Sequence, residues 1–337
     1  MYPFFRSLLF RLDPETAHQL TLQLMRIGGV EPIRSILRTM YSAPSKPVTA
    51  FGLTFKNPVG LAAGYDKNAV AINGLSALGF GHLEVGTVTP KPQTGNPRPR
   101  VFRLLEDEAI INRMGFPGKG ADLVVSRLKR LKVQTFKHAN VVLGINLGKN
   151  KDTPLEEAAN DYLALMRQFM FLADYLTINI SSPNTVGLRR LQGRELLENL
   201  LGQISAERAA WKLKRPILVK LAPDLSNEEL DDAIGVILDK HMDGIIATNT
   251  TLARERLRSK YQQESGGLSG RPLRSRSETV LRQVVKRVNG RLPIVSVGGI
   301  MSPEDAKRRL DLGATLIQLY TGLIYQGPGL VKKILEQ

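Results

Sequence analysis

The sequence predicts an α/β chain built as a (β/α)8 barrel with a small helical segment in front of it. Three observations carry the prediction: eight short, continuously apolar runs, helical patterns in the gaps between them, and a length of 337 residues with 42% hydrophobic content, enough to bury one large core. The runs are VGLAA (59–63), LEVGT (83–87), VVLGINL (141–147), TINI (177–180), PILVKL (216–221), GIIAT (244–248), PIVSV (293–297) and TLIQL (315–319). Strands buried on both faces read as unbroken apolar runs, and their alternation with helices implies a parallel sheet covered by helices. Eight such units point to a closed barrel rather than an open doubly wound sheet.

Taken in chain order, the first element is a short amphipathic helix, because Phe4, Phe5, Leu8, Leu9 and Leu12 recur at helical spacing beside Arg6 and Arg11. Asp13 followed by Pro14 starts a second helix that runs to Gly28 and Gly29, with Ala17, Leu20, Leu24 and Ile27 as its apolar face. These two helices either dock on the core or lie in a membrane interface, and a Phe- and Leu-rich stripe flanked by arginine favours the interface. VTAFGLTFKNP (48–58) reads as a hairpin ahead of the repeating units. Between the strands, PLEEAANDYLALMRQFM, SNEELDDAIGVILDK and SPEDAKRRLDLG are helical, the last two opening on serine N-caps with acidic first turns. The domain division that follows is residues 1–40 as amphipathic helices and residues 48–337 as the barrel. The stretch LKVQTFKHAN (131–140) reads as a surface insertion.

Composition removes several classes of function. The absence of cysteine excludes disulfides, thiolate metal sites and cysteine nucleophiles, and four scattered histidines suggest no metal cluster. No run approaches the ~18 apolar residues of a membrane span, and no cleavable leader opens the chain, so a cytoplasmic location is expected. The net charge of +16 suits nucleic acid, an anionic membrane or an anionic substrate. Basic runs such as RLKRLK (127–132) and AKRRL (306–310) read as solvated helix faces, and aromatics at 6% are not interleaved with the charge, which argues against nucleic acid.

Active sites of such barrels lie at the C-terminal ends of the strands. There the chain carries Ala63, Gly64, Tyr65, Asp66 and Lys67 after the first strand, Thr87 in the second, Asn146 in the third, and Asn179, Ser181, Ser182, Pro183 and Asn184 in and after the fourth. Lys220, then Thr248, Asn249 and Thr250, then Gly298 and Gly299, then Tyr320, Thr321 and Gly322 complete the rim. Amides, hydroxyls and lysines within or beside apolar strands cost ~1–3 kcal/mol each if left unpaired, so they are expected to face a ligand. The glycines after strands seven and eight suit a phosphate held by backbone amides, or else form an ordinary tight turn. SGGLSGRP (265–272) closes over that phosphate or serves as a flexible connection.

Together, GLAAGYDKN, GTVTPKPQTGNPRPR, INRMGF, GINLGKNK, INISSPNT, VKLAPDL, ATNTT, GGLSGRPL and VGGI closely resemble the class 2 dihydroorotate dehydrogenases, in that family's order and over essentially the whole chain. The resemblance implies a flavoprotein with one FMN per chain that oxidises dihydroorotate to orotate in pyrimidine biosynthesis and passes electrons to a membrane quinone. It implies a monomer attached peripherally to the cytoplasmic face of the cell (inner) membrane, with residues 1–40 as the quinone entrance. On that reading, deleting residues 1–40 spares FMN binding and reduction by dihydroorotate while weakening quinone turnover. Arg103, Tyr320 and His18 are candidates for lining the quinone tunnel.

The same resemblance implies that FMN is held by Ala63, Gly64, Tyr65, Asp66, Lys67, Thr87, Asn146, Asn179, Lys220, Thr248, Gly270, Gly299, Tyr320 and Thr321. Orotate falls to Lys67, Asn112, Arg113, Met114, Gly115, Phe116, Asn179, Asn184, Asn249 and Thr250, with Ser182 as the catalytic base. Planar amides suit a pyrimidine's alternating donors and acceptors, and Lys67 suits its carboxylate. A serine is a poor base by itself, and Thr185 and Phe116 are candidates for shaping its surroundings. Ser181 is expected to support the turn. Two rival functions remain: an FMN barrel reductase acting on another pyrimidine, such as one in RNA, and a non-enzymatic basic protein binding nucleic acid or membrane, which a colourless preparation would favour.

Overall fold

A computed structural model of the chain describes residues 2–134 and 141–337. A hairpin, β1 (Val48–Ala50) with β2 (Leu53–Phe55), precedes the first barrel strand, β3 (Val59–Leu61). The barrel continues through β4 (His82–Val88), β7 (Val142–Leu147), β8 (Tyr175–Asn179), β9 (Ile217–Leu221), β10 (Gly244–Ala247), β12 (Ile294–Val297) and β13 (Leu316–Leu319). Every neighbouring pair is parallel, and β13 pairs back onto β3 to close the ring of eight. All eight apolar runs therefore become barrel strands.

Period-two alternation decides which residues meet the helices and which face the axis. Val219 and Leu221 of β9 join the layer between sheet and helices, while Leu218 packs in an inner cluster and Lys220 takes the same inward side. The inner bottom is filled by large side chains set against glycines. A Cβ on Gly60 would meet the His82 ring at 2.0 Å, and one on Gly144 would meet Tyr175 at 2.1 Å. Phe55 of the hairpin plugs this end, its ring 5.4 Å from His82. Burial pushes the His82 imidazole down to about 3, so it sits there neutral.

Outside the barrel lie α4 (Ile72–Ser76), α5 (Ala121–Gln134), α6 (Ala158–Phe169), α7 (Arg194–Ala209), α8 (Asn227–Asp239), α9 (Arg274–Val288), α10 (Pro303–Asp311), α11 (Thr321–Gln326) and α12 (Leu330–Leu335). Ser226 caps α8 in a reciprocal box with Glu229, and Ser302 caps α10, as their sequences predict. The stretch 131–140 begins as the end of α5; residues 135–140 lie outside the described residues. Arg309 of the AKRRL run corrects the solvated-face reading. It is fully buried and donates from Nη2 to Gly298 O at 2.7 Å and to Ser277 Oγ at 2.7 Å, because α10 turns it beneath the loop after β12.

Two features depart from the sequence reading. A second, antiparallel sheet of β5 (Val101–Leu104), β6 (Ala109–Asn112) and β11 (Gly267–Gly270) was not anticipated; β6 lies at its centre, and SGGLSGRP supplies the strand β11 rather than a loose loop. The N-terminal segment contains α1 (Tyr2–Leu9) and α2 (Pro14–Gly28), as expected, and also α3 (Ile33–Met40). Asp13 caps α2 by accepting from the amides of Glu15 and Thr16, a contact worth about 1 kcal/mol. α2 packs backbone-close on α4, where a Cβ on Gly74 would meet Met25 O at 1.9 Å. Its Leu20, Leu24 and Ile27 turn outward rather than onto the core. Among the described residues, eleven of the sixteen exposed large apolar side chains lie in residues 1–40, which concentrates the exposed apolar surface in this segment. No helix among the described residues is long and apolar enough to cross a membrane.

Candidate active site

The inward side chains near the C-terminal ends of the strands form a single polar network. Asn146 Oδ1 accepts from Thr87 Oγ1 at 2.6 Å and from Asn179 Nδ2 at 2.9 Å, and Asn146 Nδ2 donates to Glu84 Oε1 at 2.8 Å. Glu84 also accepts from Gln318 Nε2 at 2.9 Å and Tyr175 Oη at 3.0 Å. Sequence reasoning missed Glu84 and Gln318, although each is a polar residue inside an apolar strand, the same signal that singled out Lys220. Gln318 Oε1 is buried without a partner among the described residues. Lys220 is buried and makes no hydrogen bond to a described residue; burial pushes its ammonium down, and the nearby Glu84 carboxylate opposes that.

Above this floor opens a pocket at the C-terminal ends of the strands. Of the residues expected at the site, Ala63, Gly64, Lys67, Thr87, Asn179, Ser182, Lys220, Thr248, Gly270, Gly299, Tyr320 and Thr321 line it, with Asn112, Met114, Gly115, Phe116, Asn184, Asn249 and Thr250 on the side of β6 and the loop after β8. Four do not. Asn146 lies under the lining in the network just described. Tyr65 faces two neighbouring cavities. Asp66 folds its carboxylate onto the amides of Asn68, Val70 and Ala71, building the turn that presents Lys67. Arg113 points away, its Nη1 2.6 Å from Glu264 Oε2 and its guanidinium over Phe102.

Along the loop after β8, Ser182 Oγ accepts from the Asn184 amide at 3.2 Å, and Asn184 Nδ2 donates to Asn112 Oδ1 at 3.2 Å, joining this loop to β6. Ser181 Oγ is held between Asn179 Oδ1 at 3.0 Å and Asn249 Nδ2 at 2.9 Å, a turn-supporting part. Thr185 Oγ1 is buried with no partner among the described residues. Lys67 Nζ donates to Gly64 O at 2.5 Å, and burial pushes its ammonium down to about 8, with Glu15 and Asp66 acting against the shift.

At the opposite end, Gly298 and Gly299 adopt φ of +117° and +71°, and a Cβ on Gly299 would meet Arg274 N at 2.5 Å. The loop is thus pressed onto the N-terminus of α9, a backbone-lined cradle suited to an anion. Ser269, also missed from sequence, holds Thr321 Oγ1 at 2.9 Å on this side.

A third, mainly apolar cavity runs from beneath α1 and α2 to the pocket. Its walls include Phe5, Leu9, His18, Tyr65, Arg103 and Tyr320, so the three tunnel candidates do come together. Burial pushes the His18 imidazole down to about 3 and keeps it neutral. Arg103 Nη1 donates to Leu9 O at 3.1 Å and its guanidinium lies over Phe10.

Comparison with known proteins follows the same lines. Residues 46–337 match the family model described as dihydroorotate dehydrogenase. The chain is 50% identical to the dihydroorotate dehydrogenase (quinone) of Cronobacter sakazakii, over 99% of this chain and 98% of that protein. It is also 50% identical to that of Edwardsiella ictaluri, over 99% of each. Among solved structures, the Eimeria tenella dihydroorotate dehydrogenase in complex with ferulenol superposes with a TM-score of 0.88 at 39% identity, covering 98% of this chain and 93% of that one.

Proposed function

The chain belongs to the dihydroorotate dehydrogenase family, and from that premise we propose how its pocket divides between cofactor and substrate. The protein is a dihydroorotate dehydrogenase (quinone), an oxidoreductase of pyrimidine biosynthesis. The observation that carries the reading of the site is that one pocket joins the backbone cradle of Gly298 and Gly299, the buried Lys220, and the Ser182–Asn184–Asn112 cluster.

The donor set fits FMN. The cradle, in which a Cβ has no room, takes the phosphate; Lys220 and the Thr87–Asn146–Asn179 network face the ring system, where partnerless Lys220 Nζ supplies a positive charge. When bound, FMN accepts the hydride that leaves C6 of dihydroorotate. The protein's own task is the proton on C5. Ser182 Oγ takes that proton, leaving the C5–C6 double bond of orotate, and Phe116, which lines the same pocket, and Thr185, whose buried hydroxyl has no partner among the described residues, are candidates for shaping the serine's surroundings. Asn112, Asn179, Asn184 and Asn249 read the pyrimidine edge, and Lys67 pairs with the carboxylate.

Residues 1–40 serve as the quinone entrance and as a peripheral contact with the membrane surface on its cytoplasmic side. The outward Phe4, Phe5, Leu8, Leu20, Leu24 and Ile27 support this, as does the cavity beneath them. Residues 48–337 form the catalytic barrel, acting as a monomer.

The substrate side is tested by orotate titration monitored through the flavin absorbance. Lys67 is cationic below about 8, and the anionic carboxylate favours that form. Orotate affinity is therefore flat at lower pH and falls by about tenfold per pH unit once the free enzyme's lysine deprotonates above about 8. Lys67→Met binds weakly at every pH and removes that break; a break that persists in the variant assigns it to another group.

A further inference from the structure

The segment KPQTGNPRPR (91–100) leaves the end of β4 and lines none of the substrate pocket with Gln93, Asn96 or Arg100, yet it touches both sides of it. Asn96 Nδ2 donates to Arg113 O at 2.9 Å and to Asn184 O at 3.1 Å, so one amide spans the end of β6 and the loop that carries Ser182. Gln93 Nε2 donates to Gly115 O at 3.0 Å and Phe116 O at 3.1 Å. The fit is close: a Cβ on Gly115 would meet the Asn96 amide at 2.9 Å.

This clip is itself anchored from the N-terminal helices. Arg100 is buried and donates from Nη1 to Thr94 O at 2.6 Å and to Asn96 O at 2.9 Å. Its Nε and Nη2 meet Glu15 at 3.0 Å and 2.7 Å, a bidentate pair with the first turn of α2, and Arg98 adds a third contact to the same carboxylate at 2.9 Å. A planar, two-point pair between buried partners fixes geometry more strongly than a single contact, and removing one partner strands the other charge. The connections run unbroken from α2 through Glu15, Arg100 and Asn96 to Arg113 and Asn184.

We propose that Glu15, Arg100 and Asn96 are positioning residues for dihydroorotate oxidation: they hold the Asn112–Phe116 stretch at a set distance from Ser182, so α2 serves flavin reduction as well as the quinone route. The inference rests on the assignment of Ser182 and Asn184 given above. It also revises the sequence expectation that a chain without residues 1–40 keeps full reduction by dihydroorotate, since that deletion takes Glu15 away. Misplacing reacting groups by about an ångström costs on the order of 10²-fold in rate, so a loosened clip is visible in the limiting rate before it is visible in binding.

The test is stopped-flow measurement of both half-reactions in the full-length, FMN-loaded protein, comparing wild type with Glu15→Gln, Asn96→Ala and the double variant. Glu15→Gln keeps the shape and removes the charge. Each single variant is expected to lower the limiting rate of flavin reduction by about tenfold or more, and in Asn96→Ala, which lies outside the apolar cavity that Glu15 helps to line, reoxidation by a short-chain quinone is unchanged. The double variant falls no further than Asn96→Ala, because the residues act in series. Unaltered reduction in either single variant, or an equal slowing of both half-reactions in Asn96→Ala, overturns the proposal. Should Asn96→Ala fail to fold, Asn96→Asp, which removes the donor and keeps the shape, decides by the same criteria. Wild-type flavin that dihydroorotate does not bleach defeats the underlying site reading instead, so the two failures are distinguishable.

Discussion

Ser182→Ala is expected to keep its FMN and to lose most of its reduction by dihydroorotate. The hydroxyl lies in the pocket, and its one hydrogen bond to the described residues is the Asn184 amide at 3.2 Å, so its removal leaves the fold of the loop to Ser181, Asn179 and Asn249. What disappears is the group proposed to take the C5 proton. Loss of a positioned general base costs about 10²–10⁴-fold, and the loss should appear in single-turnover reduction and not in quinone reoxidation. Because Asn96 and Asn184 still hold the loop, orotate affinity changes little by comparison. Single-turnover reduction at the wild-type rate would remove Ser182 from the proton-transfer role.

Lys220→Met carries the second large effect. Methionine fills a similar volume on the inward side of β9 but removes the positive charge that faces the pocket. In the wild type that charge stands near Glu84, whose oxygens are otherwise engaged by Asn146, Gln318 and Tyr175. Those donors remain in the variant, so the barrel floor is expected to stay folded. FMN gains negative charge on reduction, and one preorganised charge aimed at such a site is worth roughly 3–4 kcal/mol. Flavin reduction therefore slows by on the order of 10²-fold, and the two-electron midpoint potential becomes more negative, each 1.4 kcal/mol corresponding to about 30 mV. Redox titration of the purified variant reads this directly; an unchanged potential would mean that Lys220 does not face the ring system.

The parts of this molecule that were legible in its sequence share a local cause. Barrel strands declare themselves because burial on both faces leaves no room for polar alternation, and Ser226, Ser302 and Asp13 cap helices with partners three residues away or fewer. Lys220 stood out as a charge inside such a strand; Glu84 and Gln318 obey the same logic, and only the barrel's closure reveals that all three converge. Hidden features depend on contacts between distant segments. β11 is four residues of glycine, leucine and serine, and becomes a strand only by pairing with β6, whose own run is equally short. Leu20, Leu24 and Ile27 have the spacing of a core face, yet the α2 segment docks through Met25 and Gly29 on Asn73 and Gly74 of α4 and leaves them outside. Arg309 reads as a surface arginine until α10 is placed against the loop of Gly298. The clip of Asn96 is of the same kind, since its meaning lies in which two loops its amide reaches.

On the proposed function, one pocket couples dihydroorotate to a bound flavin and a neighbouring apolar cavity delivers a quinone to it. The most direct measurement is the visible spectrum of the purified full-length protein under anaerobic conditions. It should show a flavin that bleaches when dihydroorotate is added and recovers with a membrane quinone but not with fumarate. A colourless protein, or a flavin that dihydroorotate leaves oxidised, would contradict it.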